Sequence, residues 1–243
     1  MRLFGLIGYP LTHSFSKKYF TGKFEKEEIR GCSYELFTLK TIDELSVLLR
    51  DNPDLEGFNI TVPYKKQVMR FLDENHIPEG LEACNCININ AGKLAGYNTD
   101  ITGFEISLRP LLRAHHKRAL ILGNGGAALA VMFALRKLGI EYTVVSRTPT
   151  ISSVLGYSQV TGKVIEEHPI IINTTPLGTY PAENTCPAIP YQYITGTHLL
   201  YDLVYNPART LFLEKGEERG ATIKNGEEML VLQAEESWRI WNG

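Results

Sequence analysis

The sequence predicts an α/β fold, because segments with strand-like and helix-like patterns alternate along the whole chain. Two local signals agree with this prediction. The stretch Thr41-Ile42-Asp43-Glu44 is a capping box, which marks the start of a helix. A glycine-rich turn at residues 123–126 joins an apolar segment to a helical one, as in a βαβ unit. A chain of 243 residues has room for one or two domains.

The first fifty residues predict two strands and two helices. Residues 3–7 and 33–39 are typical of strands, and residues 17–24 have the pattern of a helix. The capping box at Thr41 then opens a second helix over the leucine-rich residues 45–49.

The next segment brings a lysine close to the end of a strand. Residues 58–62 alternate as a strand, and Pro63 suits the first turn of a following helix, so we expect Lys65 in that turn. Residues 84–90 and 93–97 then predict a hairpin with a short glycine-containing turn.

A boundary is expected after the first hundred residues. Thr99 is predicted to cap a helix that runs towards His115. The polar residues 115–118 interrupt the pattern, so we expect a domain boundary or a long connecting helix near 100–117.

The second half predicts a βαβ unit and further strands. Residues 119–122 and 142–145 are expected as strands, with a helix at 127–138 between them. Further strands are predicted at 170–173 and 199–203, and a last helix at 227–241.

Composition excludes several classes of protein. A net charge of -2 gives no field that would hold the chain to nucleic acid or to an anionic membrane surface. The sequence contains no apolar run of the ~18 residues that a membrane helix needs, and no signal peptide is recognised, so a cytoplasmic location is predicted. The cysteines form no C-x-x-C pair, and we expect reduced thiols rather than a disulfide or a metal site. They are Cys32, Cys84, Cys86 and Cys186.

The glycine turn predicts a dinucleotide site. The stretch Gly123-Asn124-Gly125-Gly126-Ala127-Ala128 fits G-x-G-x-x-A between a strand and a helix, where the pyrophosphate would lie at the helix N-terminus. A glycine turn that binds no ligand remains the alternative. The second strand ends in Ser146-Arg147-Thr148 without an acidic residue, which favours NADP over NAD because arginine can pair with a 2′-phosphate.

Polar residues near predicted strand ends indicate a second site in the first hundred residues. Hydroxyl and amide side chains suit a small anionic molecule that is rich in hydroxyl groups. A ketone reduction by a nicotinamide also needs a proton donor, for which Lys65 near Asp100 is suitable. Each of these residues also has a structural interpretation, as a helix cap or as an exposed strand residue. The set is Ser14, Ser16, Asn59, Thr61, Lys65, Asn85, Thr99 and Asp100.

Several motifs together resemble the shikimate dehydrogenase family across essentially the whole chain. Asn85 within Ala83-Cys84-Asn85-Cys86 is similar to the asparagine of that family's A-V-N-T element. The other motifs are Gly8-Tyr9-Pro10-Leu11-Thr12-His13-Ser14-Phe15-Ser16, Asn59-Ile60-Thr61-Val62-Pro63-Tyr64-Lys65, Gly96-Tyr97-Asn98-Thr99-Asp100, the glycine turn, Ser146-Arg147-Thr148, Tyr201-Asp202-Leu203-Val204-Tyr205-Asn206-Pro207 and Gly226-Glu227-Glu228-Met229-Leu230-Val231-Leu232-Gln233.

The resemblance implies NADPH-dependent reduction of 3-dehydroshikimate to shikimate, in the pathway to chorismate and the aromatic amino acids. It implies Lys65 and Asp100 as the catalytic pair. The implied substrate-binding residues are Ser14, Ser16, Asn59, Thr61, Asn85, Tyr205 and Gln233. The implied cofactor-binding residues are Gly123, Asn124, Gly125, Gly126, Ala127, Arg147, Thr148, Leu203 and Gly226.

The resemblance also implies two domains. An N-terminal α/β substrate-binding domain is expected at 1–100 plus 222–243, because the C-terminal helix returns to it, and a Rossmann-like NADP-binding domain is expected at 101–221. The chain departs from the family pattern at Ser146, at Pro149 and at Ile101-Thr102.

Two alternative functions stay open at this point. A relative acting on quinate or aminoshikimate would differ by small changes in pocket shape. A non-catalytic NADP(H)-binding regulatory protein would keep the fold without the reaction. The expected partner is a small-molecule substrate, with no metal, nucleic acid or membrane, and the chain is expected as a monomer or a homodimer.

Overall fold

The computed structural model describes residues 1–11, 14–149 and 154–243, and these residues confirm the α/β prediction. The chain divides into two compact units, each with its own six-stranded sheet. The first unit contains Met1–Thr102 and Leu230–Gly243, and the second contains Gly103–Met229.

The sheet of the first unit is mixed, with the strand order β2-β1-β3-β5-β6-β4. Strands β1, β2 and β3 are parallel, whereas β5 runs antiparallel to both β3 and β6. Ala91 and Gly92 have φ values of 49° and 77°, as the two-residue hairpin turn requires, so the predicted hairpin is confirmed. The strands are β1 (Arg2–Gly8), β2 (Cys32–Thr38), β3 (Leu55–Ile60), β4 (Glu74–Asn75), β5 (Cys86–Asn90) and β6 (Lys93–Tyr97).

Three helices accompany the first half of the chain. The carboxylate of Glu44 accepts a hydrogen bond of 3.0 Å from the Thr41 backbone N–H, which confirms the capping box. The prediction that the helix starting at Thr99 continues to His115 is wrong. This helix ends at Leu108, and a 3-10 turn that contains Pro110 follows it. The helices are α1 (Phe15–Lys26), α2 (Leu45–Asp51) and α3 (Thr99–Leu108).

The prediction of a helix beginning at Pro63 is also wrong. Residues 62–66 form turns, and a 3-10 helix follows at Gln67–Phe71. The carbonyl oxygens of Val62 and Lys65 accept hydrogen bonds from the backbone N–H groups of Tyr9 and Cys84, at 3.2 and 2.8 Å. Because these distant donors bind the two carbonyls, Lys65 lies in an irregular segment rather than in a helical first turn.

The sheet of the second unit is parallel throughout, with the order β12-β11-β10-β7-β8-β9. Numbered within the unit and taken from β9, this order is 3-2-1-4-5-6, the doubly wound order of dinucleotide-binding folds. The chain adds β8 and β9 on one side of β7, and it adds β10, β11 and β12 on the other side, so the winding of the sheet reverses between β7 and β10. The strands are β7 (Arg118–Leu122), β8 (Glu141–Ser146), β9 (Val154–Gly156), β10 (Ile170–Asn173), β11 (Leu199–Asp202) and β12 (Thr222–Lys224).

Helices connect these strands and cover a buried apolar core. The core includes Leu120, Val145 and Ile171, which are fully buried. Because β12 pairs with β11, residues 222–224 belong to the second sheet, and the chain rejoins the first unit at Leu230 rather than at residue 222. The helices are α4 (Gly126–Lys137), α5 (Gly162–Glu167) and α6 (Leu211–Glu217).

The C-terminal helix α7 (Glu227–Trp241) carries the last residues of the first unit. Trp241 is 5% exposed, stacks on Phe4 and donates a hydrogen bond of 2.9 Å to the Ile87 carbonyl oxygen. The Lys23 ammonium on α1 lies 2.9 Å from the Glu235 carboxylate on α7. These contacts fix the register of α7 against the first sheet.

Candidate active site

The Lys65 ammonium and the Asp100 carboxylate form an ion pair in the first unit. Lys65 Nζ lies 2.6 Å from Asp100 Oδ2, and the two side chains are 21% and 13% exposed. The pair is therefore partly shielded from water yet still reachable by a small molecule. A charge-assisted hydrogen bond of this length keeps the ammonium in one orientation.

Backbone and amide contacts bring the two residues together. The Asn85 Oδ1 atom accepts a hydrogen bond of 2.7 Å from the Thr99 N–H at the start of α3, directly before Asp100. The Cys84 N–H donates to the Lys65 carbonyl oxygen at 2.8 Å. Because residues 84 and 85 are adjacent, one short segment holds both the Lys65 turn and the N-terminus of α3.

Asn59 lies at the end of β3 and is 4% exposed. Its Oδ1 atom accepts from the Tyr34 hydroxyl at 2.9 Å. Its Nδ2 group donates to the Asn85 carbonyl oxygen and to the Ser237 hydroxyl, at 3.2 and 2.8 Å. Each polar atom of this amide therefore already has a partner in the protein.

The other predicted substrate-binding residues of this unit occupy element ends. Ser14 is the N-cap of α1, where its hydroxyl accepts from the Lys17 N–H at 3.2 Å, and Ser16 lies in the first turn. Thr61 directly follows β3 and is partly buried. Gln233, on α7, is 7% exposed and donates 2.9 Å to the Leu230 carbonyl oxygen.

The second unit contains a cavity of about 540 Å³ at the carboxyl ends of its strands. Gly123 follows β7, Arg147 follows β8, and Thr174 follows β10, so the cavity lies where the winding of the sheet reverses. Five residues of the predicted cofactor motifs line it, namely Gly123, Asn124, Gly125, Ser146 and Arg147.

The geometry of the glycine turn fits a nucleotide. Gly123 has a φ of +113°, and a β-carbon there would lie 2.6 Å from Thr174 Oγ1, so both the backbone and the space require glycine. Gly125, the N-cap of α4, has open space where a side chain would be. The free N–H groups and the dipole of the twelve-residue α4 favour an anion at this end.

The end of β8 places a cation at the cavity. Arg147 and Thr148 are exposed, and Arg147 lines the cavity. The Ser146 hydroxyl accepts from the Thr148 N–H at 3.2 Å, so this side chain shapes the turn that presents Arg147. Gly126, Ala127 and Thr148 do not line the cavity, although Gly126 and Ala127 form the first turn of α4.

The predicted residues after β11 form a tight turn in the same unit. A β-carbon on Gly226 would overlap the Leu203 carbonyl group, so glycine allows this close approach. Tyr205 follows and is 39% exposed. Burial raises the pKa of the nearby Asp202 to about 6, although hydrogen bonds from Thr210, Val204 and Asn173 oppose the shift.

The comparisons with known proteins give the family. The model of the shikimate dehydrogenase substrate binding domain matches residues 6–87. The chain is 35% identical over 257 residues to the shikimate dehydrogenase (NADP(+)) of Carboxydothermus hydrogenoformans, covering 100% of this chain and 92% of the relative. The chain belongs to the shikimate dehydrogenase family.

Solved structures of one member of this family and of a differently named reductase have the same fold. A shikimate dehydrogenase of Thermus thermophilus, in complex with NADP(H) and shikimate, has a TM-score of 0.87 at 29% identity, covering 100% of this chain and 94% of that chain. A 5-ketofructose reductase of Gluconobacter, in a ligand-free form, has a TM-score of 0.83 at 25% identity, covering 99% and 92%.

Several site residues were missed by the sequence analysis. Thr174 and Thr175 line the cavity, and they could have been found because they follow a strand next to the reversal of winding. Tyr157 and Cys186 also line it, without a comparable sequence signal. In the first unit of this shikimate dehydrogenase family member, the analysis also missed Tyr34 and Ser237, whose hydroxyl groups hydrogen-bond to Asn59.

The cysteines and the helices give two further findings. Cys84 and Cys86 are buried thiols without a disulfide, and burial raises the pKa of Cys84 to about 12, so this thiol is unreactive at neutral pH. Among residues 1–11, 14–149 and 154–243, no helix has both the length and the apolar character needed to cross a bilayer.

Proposed function

We propose that this chain reduces 3-dehydroshikimate to shikimate with NADPH, in the pathway to chorismate and the aromatic amino acids. One structural observation supports this proposal in addition to family membership. The Lys65 ammonium and the Asp100 carboxylate, which are distant in the sequence, form a 2.6 Å ion pair that is only partly buried. A protein that merely bound the nucleotide would have no use for this proton donor.

The substrate-binding roles follow from the chemistry of each side chain. Ser14 and Ser16 in the first turn of α1 suit the carboxylate of the ring, because hydroxyl donors and the positive helix end both favour an anion. Thr61, Asn85 and Gln233 suit ring hydroxyl groups. We keep Tyr205 as a proposed carboxylate ligand and Asn59 as a proposed hydroxyl ligand.

The cofactor roles follow from the cavity of the second unit. The glycine turn from Gly123 to Ala127 would hold the pyrophosphate at the N-terminus of α4. Arg147, with Thr148, would pair with the 2′-phosphate, which favours NADP over NAD. Leu203 and Gly226 would contact the nicotinamide end.

The reaction needs a proton at the ketone oxygen. NADPH, when bound, supplies the hydride that reduces the ketone carbon. The Lys65 ammonium polarises the carbonyl and donates a proton to the oxygen as negative charge develops there. The Asp100 carboxylate accepts a hydrogen bond of 2.6 Å from the ammonium and holds it in place for this step.

The test is NADP reduction driven by shikimate, measured by absorbance for the wild type, Lys65→Ala and Lys66→Ala. Lys66 is the adjacent lysine, 72% exposed and paired with Glu82, and serves as the matched control. We expect Lys65→Ala to lower kcat by ~10² or more, the scale of lost acid–base catalysis. Lys66→Ala should keep the wild-type kcat. An unchanged kcat in Lys65→Ala would remove the catalytic role.

The same assay separates the alternative functions. Quinate and an aminoshikimate, each with NAD and with NADP, are assayed beside shikimate with NADP, and 5-ketofructose is assayed in the reducing direction with NADPH beside 3-dehydroshikimate. A higher kcat/KM for any of these would assign a different substrate. Binding of NADPH without turnover of any of them would favour a regulatory protein.

We further propose a cytoplasmic location and a monomeric or homodimeric state. Light scattering of the purified protein distinguishes these two states from larger assemblies.

A further inference from the structure

Buried hydroxyl and amide groups connect four elements and one loop segment of the first unit. We call them the buried polar chain, and its side chains are at most 4% exposed. They come from β2, the end of β3, the segment before β5, the start of α3 and the middle of α7. The members are Tyr34, Asn59, Asn85, Thr99 and Ser237.

Ser237 connects Asn59 and Thr99 within the buried polar chain. Its hydroxyl donates to the Gln233 carbonyl oxygen at 2.9 Å, one turn earlier on α7. The same oxygen accepts from Asn59 Nδ2 at 2.8 Å and lies 3.3 Å from Thr99 Oγ1. Since Ser237 is fully buried, water cannot replace any of these partners.

Tyr34 is the last member at one end of the buried polar chain. Its hydroxyl donates to Asn59 Oδ1 at 2.9 Å, which fixes the rotation of that amide. Burial raises the pKa of the Tyr34 hydroxyl, which therefore keeps its proton for this hydrogen bond. Tyr34 thus holds the Asn59 amide in one orientation.

Asn85 and Thr99 connect the buried polar chain to the catalytic pair. Asn85 Nδ2 donates to Thr99 Oγ1 at 3.0 Å, and Asn85 Oδ1 accepts from the Thr99 N–H. Thr99 directly precedes Asp100. A fully satisfied buried network of this kind specifies one arrangement of its members, because any rotation leaves a buried polar atom without a partner.

We propose that Tyr34 and Ser237 are positioning residues, which hold Asn59 and the Asn85–Thr99 contact in the arrangement that binds a hydroxylated ring acid. This inference rests on the proposed function for its choice of ligand. Neither residue touches the reacting atoms. They act through the side chains proposed to bind the ring.

The second unit offers a matched control pair. Ser107 is 1% exposed, donates to the Phe104 carbonyl oxygen at 3.0 Å and lies 2.7 Å from the hydroxyl of the fully buried Tyr201. Ser107→Ala and Tyr201→Phe therefore remove the same kinds of group, from the same kinds of buried site, as Ser237→Ala and Tyr34→Phe.

The experiment measures KM for shikimate and for NADP in the four variants and the wild type. We expect Tyr34→Phe and Ser237→Ala to raise KM for shikimate about tenfold, the effect of losing one well-placed hydrogen bond. Their KM for NADP should stay within about twofold of the wild type. The control variants should lower the thermal midpoint by a similar amount but leave KM for shikimate unchanged.

Two results would overturn the inference. One is a KM for shikimate within about twofold of the wild type in both Tyr34→Phe and Ser237→Ala. The other is an equal rise in Ser107→Ala and Tyr201→Phe, because a general loss of stability would then explain all four variants.

Crystal structures separate this inference from the proposed function. If the wild type does not oxidise shikimate, the proposed function fails, and the Tyr34→Phe and Ser237→Ala structures decide the positioning role. A shift of the Asn59 or Asn85 side chain by more than about 0.5 Å supports positioning, since sites need that accuracy. Unmoved side chains contradict it, whatever the substrate.

Discussion

Two glycines of the same turn should respond differently to alanine, and the difference tests whether the turn binds a nucleotide. Gly125 has no atom within 4 Å of the position that a β-carbon would occupy, so Gly125→Ala fits the folded chain. Gly123 has a φ of +113° and Thr174 Oγ1 at 2.6 Å, so Gly123→Ala is strained in backbone and in space.

The expected stabilities follow from this geometry. For Gly125→Ala, a gain of ~0.4–1 kcal/mol from the less flexible unfolded chain opposes a small loss at the helix N-cap, so the net change is small. For Gly123→Ala, the left-handed backbone alone costs ~1–3 kcal/mol. With roughly 2–4 °C per kcal/mol for a chain of this size, the thermal midpoint of Gly123→Ala should fall by several degrees.

The assay is KM for NADPH beside thermal unfolding. The methyl group of Gly125→Ala occupies the space through which the pyrophosphate approaches the backbone, so KM should rise about tenfold or more at nearly wild-type stability. Wild-type KM in a stable Gly125→Ala variant would refute the reasoning and leave the turn as a purely structural feature.

Three further predictions concern charged groups. Arg147→Ala should raise KM for NADPH much more than KM for NADH, and an equal rise would reject the 2′-phosphate assignment. Burial raises the pKa of Asp202 from 3.8 to about 6, so its protonated form stabilises the fold below pH 4 and this contribution is lost as pH rises through 6. The unfolding free energy of the wild type minus that of Asp202→Asn should therefore rise by about 2 kcal/mol from pH 7 to pH 4, and a difference independent of pH would contradict it. Glu105 is 6% exposed and lies 2.7 Å from Lys137; burial alone would raise the pKa of its carboxyl, but its hydrogen bonds outweigh burial and lower the pKa. Glu105→Gln should therefore lower the free energy of unfolding in urea by about 1–2 kcal/mol at pH 7 and by less below pH 4. The same loss at both pH values would contradict this prediction.

Local patterns in the sequence predicted the elements that depend on neighbouring residues. The capping box at Thr41, the hairpin turn at Ala91-Gly92 and the glycine turn after β7 all use residues whose conformational preferences act within a few positions. The end of α3 was also predictable, since Pro110 opposes a helix that continues to His115.

Long-range contacts decided the features that the sequence analysis missed. The segment around Lys65 is irregular because its carbonyl groups bind the N–H groups of Tyr9 and Cys84, which no local pattern reveals. Tyr34 and Ser237 look like ordinary strand and helix residues. Their roles arise only when β2, β3 and α7 pack in three dimensions.

The central claim is that Lys65 supplies the proton when NADPH reduces 3-dehydroshikimate. Rapid mixing of wild type or Lys65→Ala, in excess over a limiting amount of bound NADPH, against excess 3-dehydroshikimate follows one turnover by nicotinamide absorbance. The account predicts a full turnover in the wild type and a rate lower by ~10² or more in Lys65→Ala. NADPH that binds but is not oxidised by the wild type, or equal rates in the two proteins, would contradict it.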